Sequence, residues 1–157
     1  MTSIQTASKA DLTAVVGELG AFWGPERDMG FLHQALYFHE FGDTALVARG
    51  ADGVVNAYLL GFLGPQLVGY VHAVAVREGH RGEGFARALY DEFERRVRLR
   101  GAVALKAITD PSNASSIAFH RSLGFSATEV ENYTFTGISR MVFYKELAAG
   151  PEAGLSN

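Results

Sequence analysis

Hydrophobic positions recur along the chain at two periods, and the switches between them divide it into elements. Lys9–Gly20 carries Leu12, Val15, Val16 and Leu19 on one helical face, with Ser8 placed to cap its start. Phe85, Leu89, Phe93 and Val97 recur every four residues and predict a helix over Phe85–Arg100, stopped by Gly101. Shorter apolar blocks at Ser3–Ala7, Thr44–Ala48, Val54–Leu60, Val68–Val76, Val103–Ile108 and Arg140–Leu147 read as strands. Asp52-Gly53 supplies a tight turn between two of them. Both faces of Val68–Val76 are mostly apolar, which makes that strand central and buried on both sides. Gly24-Pro25 breaks the chain, and Phe31–Phe38 reads as a short helix. Asp110-Pro111 opens another helix through Leu123, with aspartate as cap and proline in the first turn. Strands followed by strand–helix–strand–helix–strand predict an α/β (α+β) fold, a sheet with helices on its faces.

Composition narrows the class. A chain of 157 residues, 48% hydrophobic and 20% charged, folds around a core of its own and is not disordered. The absence of cysteine excludes disulfide scaffolds, thiolate metal sites and thiol catalysis. Met1–Asp11 lacks the pattern of a secretory leader, and the apolar stretches Ala57–Leu63 and Tyr70–Val76 are too short to span a bilayer. The expectation is a soluble cytoplasmic protein, one domain over residues 1–148 and a flexible tail over 149–157.

Charge changes the picture locally. The formal net charge of −3 argues against a nucleic-acid footprint, yet seven of the fourteen Lys and Arg residues fall between Arg77 and Arg100. Glu78, Glu83, Asp91, Glu92 and Glu94 are interleaved with them, so charge alone fits a solvated helix face as well as a local anion site. The histidines at 33, 39, 72, 80 and 120 have no metal-ligand spacing, and no metal site is expected. No Gly-x-Ser-x-Gly elbow marks a serine hydrolase.

The strongest chemical signal is Val74-Ala75-Val76 running into Arg81-Gly82-Glu83-Gly84-Phe85-Ala86. A buried strand, a turn with little side-chain bulk and a helix beginning at the turn aim backbone N–H groups and the helix dipole at one place, which suits a pyrophosphate. A P-loop would end in Gly-Lys-Ser/Thr, and a Rossmann turn would follow the first strand, so neither fits. The segment from Val74 to Leu89 resembles the acetyl-CoA-binding motif of the GNAT superfamily of N-acetyltransferases, Arg/Gln-x-x-Gly-x-Gly/Ala, met by Arg81, Gly84 and Ala86. A second block, Asn113 through Ser116, Phe119 and His120 to Leu123-Gly124-Phe125, is similar to the family's Asn-x-x-Ala/Ser helix ending in Leu-Gly-Phe. The two blocks span Gly69 to Phe125, roughly a third of the chain.

The resemblance implies a mixed, largely antiparallel sheet splayed open after Tyr70–Val76, with helices on both faces and the pantetheine arm in the opening. Val74, Ala75 and Val76 would line that arm. Arg81, Gly82, Glu83, Gly84, Phe85 and Ala86 would cradle the pyrophosphate of acetyl-CoA, and Asn113 would contact the cofactor side. His120 stands where the family usually has a tyrosine that protonates the departing thiolate; an imidazole can fill that role or only orient the cofactor. A base must take the proton of the attacking amine. His72 is the first candidate, on the premise that it shares the face of Val74 and looks into the opening. Tyr70, Glu40 and Tyr133 stay open as alternatives. The aromatic segment from Phe22 to Phe41 would wall the acceptor site, with Trp23, Tyr37 and Tyr70 as substrate-binding residues. The implied activity is acetyl transfer to a primary amine of a small molecule or protein, with coenzyme A as product. A non-catalytic acyl-CoA sensor is the alternative. No nucleic-acid or membrane partner is expected, and a homodimer is left open.

Overall fold

A computed structural model describes residues 2–149. Seven strands, β1 Ser3–Thr6, β2 Ala45–Arg49, β3 Val55–Leu63, β4 Val68–Val76, β5 Ala104–Thr109, β6 Ser126–Val130 and β7 Arg140–Glu146, form one sheet in the order β1-β2-β3-β4-β5-β7-β6. All neighbours are antiparallel except β4 and β5. Helix α4, Phe85–Leu99, supplies the long crossover that a parallel pair requires. Its buried stripe of Phe85, Leu89, Phe93 and Val97 packs with Leu46, Leu59, Val71, Leu105 and Phe143 on one face of the sheet. Helix α5, Ala114–Ser122, joins that face through its Leu123-Gly124-Phe125 exit. Gly61 and Gly69 lie under α4, where an added Cβ would strike Phe93 at the first and Leu105 and Val97 at the second. Small residues on the sheet therefore set how closely that helix approaches.

The opposite face packs α1 Lys9–Gly17, α2 Leu19–Trp23 and α3 Ala35–Glu40 over Val47, Tyr58, Leu60, Ala73 and Ala75. Ser8 caps α1 in a capping box, its hydroxyl accepting from the Asp11 N–H while the Asp11 carboxylate accepts from the Ser8 N–H. The helix expected over Lys9–Gly20 is in fact two, turning at Glu18 beside the poor helix formers Gly17 and Gly20. The helix expected over Phe31–Phe38 is a 3-10 turn at Gly30–Leu32 followed by α3, because the buried His33 between them turns inward to hydrogen-bond Met29 and Tyr58. Asp110 does not cap α5. Its carboxylate accepts from the N–H and hydroxyl of Ser112 to close a turn, and Asn113 is the cap. Strand β6, mostly exposed at the sheet edge, has no apolar alternation to announce it. The tail expected from residue 149 lies, from Gly150 onward, outside the described residues.

Candidate active site

The sheet opens where β4 and β5 part. Their pairing runs only from Val68↔Ala104 to Val71↔Ala107, after which β5 continues on β7 alone and β4 on β3 alone. Val74, Ala75 and Val76 thus present a backbone edge without a strand partner on the β5 side. At the far end of that edge the chain turns through Gly79, Gly82 and Gly84, at φ of 90°, 81° and 85°. These left-handed values suit glycine. A Cβ at Gly82 or Gly84 would meet nothing within 4 Å; it would project into open space in front of the turn. Gly84 starts α4 with no side-chain cap, leaving the first-turn N–H groups directed outward.

The arginines sort themselves at this site. Of the seven between Arg77 and Arg100, five pair with a carboxylate: Arg77 with Glu18, Arg95 and Arg96 with Glu92, Arg98 with Glu94 and Arg100 with Asp43. Arg81 and Arg87 have no carboxylate partner among the described residues. Arg81 donates to the Phe22 carbonyl and Arg87 to the Ser122 hydroxyl. The two cations without a counter-charge therefore flank the glycine turn. An uncapped helix start, glycines whose missing side chains leave room, and two uncompensated guanidinium groups fit a pyrophosphate-bearing cofactor.

His72 sits on a bulge. β3 and β4 change register between Leu60↔Ala73 and Gly61↔Val71, so His72 has no residue opposite it. The extra residue reverses the alternation. Val71 and Val74 pack on the α4 side, whereas Ala73 packs on the α1–α3 side and His72 faces Phe62 and Leu32 there. The expectation that His72 shares the face of Val74 is corrected: the bulge sends it to the opposite face. Its Nε2 lies 2.9 Å from the Leu32 carbonyl, which only accepts, so Nε2 carries the proton and Nδ1 keeps a lone pair. Burial lowers its pKa, partly offset by that hydrogen bond. The ring borders a cavity of about 420 Å3 with Tyr37, Phe41, Phe62 and the Leu63–Pro65 turn.

His120 lies deeper than a residue at the sheet opening, at 4% exposure. Its ring stacks on Phe143 with centroids 3.9 Å apart. Nδ1 donates to the Ser116 carbonyl at 2.8 Å, and Nε2 accepts from the Tyr90 hydroxyl at 2.6 Å. Both nitrogens are thus engaged inside the protein. Desolvation lowers the His120 pKa and raises that of Tyr90. Asn113 is likewise occupied locally, accepting from the Ser116 N–H and donating to the Thr109 hydroxyl.

Among the expected acceptor residues, Tyr37 reaches the cavity beside His72 and Tyr70 lies next to His72 on the same strand. Trp23 instead donates to the Tyr58 hydroxyl at 2.6 Å, and Tyr58 in turn donates to His33 at 2.8 Å. That buried chain ties α2 to β3. Phe22 and Phe38 are core, while Phe31 is 68% exposed. Two residues near the site escaped the sequence analysis. Tyr90 had no distinguishing pattern, but Lys106 did: it is the one charged residue in the apolar block Val103–Ile108.

A strand edge left unpaired beside a glycine turn that opens a helix is an arrangement that suits the arm and pyrophosphate of an acyl-CoA. The chain matches the profile of the acetyltransferase (GNAT) family over residues 14–125. It is 31% identical over 141 residues to the L-methionine sulfoximine/L-methionine sulfone acetyltransferase of Pseudomonas paraeruginosa, covering 78% of this chain and 79% of that one. It is 35% identical over 86 residues to the L-2,4-diaminobutyric acid acetyltransferase of Streptomyces anulatus, covering 52% of this chain and 48% of the other. Among solved structures, Ard1 from Thermoplasma volcanium superposes with a TM-score of 0.80 at 19% identity, over 94% of this chain and 99% of that chain. The yncA protein of Salmonella typhimurium, solved with its cofactor acetyl-CoA, gives 0.70 at 21% identity, over 98% and 99% of the two chains. These two likenesses bear on the fold. The chain belongs to the GNAT family, and it is an acetyl-CoA-dependent N-acetyltransferase.

Proposed function

We propose that the protein acetylates the primary amine of a small molecule of amino-acid type, by direct attack in a ternary complex. The observation that carries this is the relation to two enzymes named for amino-acid acceptors, together with a compact apolar cavity bordered by a histidine with a free lone pair. The cavity is lined by Tyr37, Phe41, Phe62 and the Leu63–Pro65 turn, apolar walls that suit a small apolar side chain.

Acetyl-CoA, when bound, would supply the acetyl group: the amine nitrogen would bond the acetyl carbon as the carbon–sulfur bond breaks, and coenzyme A would leave as a thiolate that takes its proton from water. The turn from Arg81 to Ala86 holds the pyrophosphate through backbone N–H groups, with Arg81 and Arg87 adding charge. Val74, Ala75 and Val76 align the arm along the open edge of β4. His72 takes the amine's proton at Nδ1, the nitrogen left available once Nε2 is fixed on Leu32. Tyr37 and Tyr70 border the acceptor. His120 acts as a positioning residue, since use of its Nε2 as a proton donor requires both the loss of Tyr90 and a second ring proton. Asn113 contributes by fixing the start of α5. Among the described residues no helix is long and apolar enough to cross a membrane. The proposal places the enzyme in the cytoplasm, where acetyl-CoA is made and used.

The test is an amine panel following release of the CoA thiol, with a no-acceptor control. Amino acids with small apolar or sulfone-bearing side chains should turn over. Binding of acetyl-CoA without turnover on any amine in the panel would favour the sensor.

A further inference from the structure

We propose that Lys106 is the residue that recognises the acceptor's carboxylate, which makes the enzyme selective for amino acids over simple amines. The inference rests on the amino-acid reading above and names the residue that enforces it.

The position follows from register. Phe62, Tyr70, Lys106 and Tyr144 are successive cross-strand partners in β3, β4, β5 and β7, so they form one row across the sheet. Residues opposite one another share a face. Leu105 and Ala107 belong to the core under α4, which puts Lys106 on the other face, the face of His72 and the cavity. The row crosses the sheet one residue short of Val71↔Ala107, the last pair before β4 and β5 part. An acceptor whose amine meets His72 therefore has Lys106 within the reach of a small molecule, because neighbouring strands lie about 5 Å apart.

The charge of Lys106 is uncompensated. Lys145 pairs with Glu94 and five of the arginines on the crossover helix and its approach pair with acids, but no carboxylate of the described residues lies within ion-pair distance of Lys106. The ammonium sits 5.2 Å from the centroid of the Tyr133 ring, held by the connection between β6 and β7. Lys106 is half-buried, and a cation withdrawn from water without an anion is costly. An aromatic face offsets part of that cost, and an incoming carboxylate supplies the rest. The apolar cavity at Phe62 then takes the side chain, His72 the amine and Lys106 the carboxylate. Three separated contacts fix the handedness of an α-carbon as well as its substituents.

The experiment compares L-methionine sulfone with 3-(methylsulfonyl)propan-1-amine, which lacks only the carboxylate. Wild type, Lys106→Met and Lys106→Arg are assayed with both, and binding of each compound to the protein in the presence of coenzyme A is measured by calorimetry. Lys106→Met should raise KM and Kd for the amino acid roughly ten- to a hundredfold, leave kcat within about threefold, and leave the decarboxylated amine unchanged. Lys106→Arg should retain most of the affinity for the amino acid. Equal losses for both compounds, or no loss for either, overturns the role of Lys106 while leaving the amino-acid reading in place. A wild type that neither binds nor acetylates L-methionine sulfone or any other amino acid, yet acetylates simple amines, overturns the amino-acid reading and this inference with it.

Discussion

The roles proposed for Gly84 and His72 can be separated by single substitutions. Gly84, at φ 85°, leaves open space in front of the turn proposed to hold the cofactor by having no side chain. Gly84→Ala should weaken acetyl-CoA binding at least tenfold by calorimetry, because its methyl group points into the open space of the turn. The same variant pays for its left-handed backbone with roughly 1–2 kcal/mol of stability, so binding is measured well below its melting transition. Unchanged affinity would remove the turn from the cofactor site. His72 is tested by pH. Burial holds its imidazole below the ordinary 6.5, so it stays neutral and able to accept a proton through the neutral range. kcat/KM should rise with pH along an acid limb centred below 6.5, and that limb should be lost in His72→Gln when one acceptor is used throughout. A variant with the wild-type profile makes His72 a structural residue.

At the scale of elements, the contact between α4 and α5 runs through Tyr90 and His120. The hydroxyl of Tyr90 is buried at 2.6 Å from Nε2 of His120, and the ring of His120 lies flat on Phe143 of β7. His120→Phe keeps the stacking but strands the Tyr90 hydroxyl without an acceptor. That should cost about 1–3 kcal/mol in urea denaturation. Tyr90→Phe combined with His120→Phe should recover part of the loss, since two apolar groups replace the pair. A stable single variant with a selectively reduced kcat would instead return His120 to the chemical step. The element pattern also shows why some boundaries were legible. The fourfold period of α4 and the apolar run of β4 survive in the structure within a residue, because each buries its own pattern against the sheet. α5 begins three residues later than Pro111 suggests, because the Asp110 side chain is spent on Ser112 before the helix starts.

The whole molecule responds to acid through its buried imidazoles. Desolvation lowers the pKa of His33, His72 and His120 in the folded state. Well above pH 6.5, the ordinary value of the unfolded imidazoles, these groups are neutral in both states and add no pH dependence. Below it the unfolded chain binds protons that the folded chain resists, so stability falls as the pH falls. The melting temperature should therefore drop between pH 7.5 and pH 5.5. A second loss belongs to stronger acid, where Glu92, hydrogen-bonded to Arg95 and Arg96 and held down to about 2, resists protonation in the folded state alone. A flat melting temperature from pH 7.5 to pH 5.5 would mean that the three imidazoles are more solvated than their packing implies.

The sequence by itself determined the central strand, the long amphipathic helix, the glycine turn and, β6 and the split of the first helix apart, the order of elements, because those depend on local periodicity and on residues adjacent in the chain. It also carried the two motif blocks, each contiguous and each tied to one helix start. Tertiary structure decided what depends on register. One extra residue in β4 moved His72 to the other face of the sheet, and nothing in Tyr70-Val71-His72-Ala73-Val74 announces which residue its partner strand will skip. Burial of His120 follows from Tyr90 and Phe143, residues distant in the chain and brought together only by packing. Lys106 was visible as a lone charge in an apolar strand, but its place beside Tyr70 and beneath Tyr133 exists only because β4 and β5 run parallel for four residue pairs and then part.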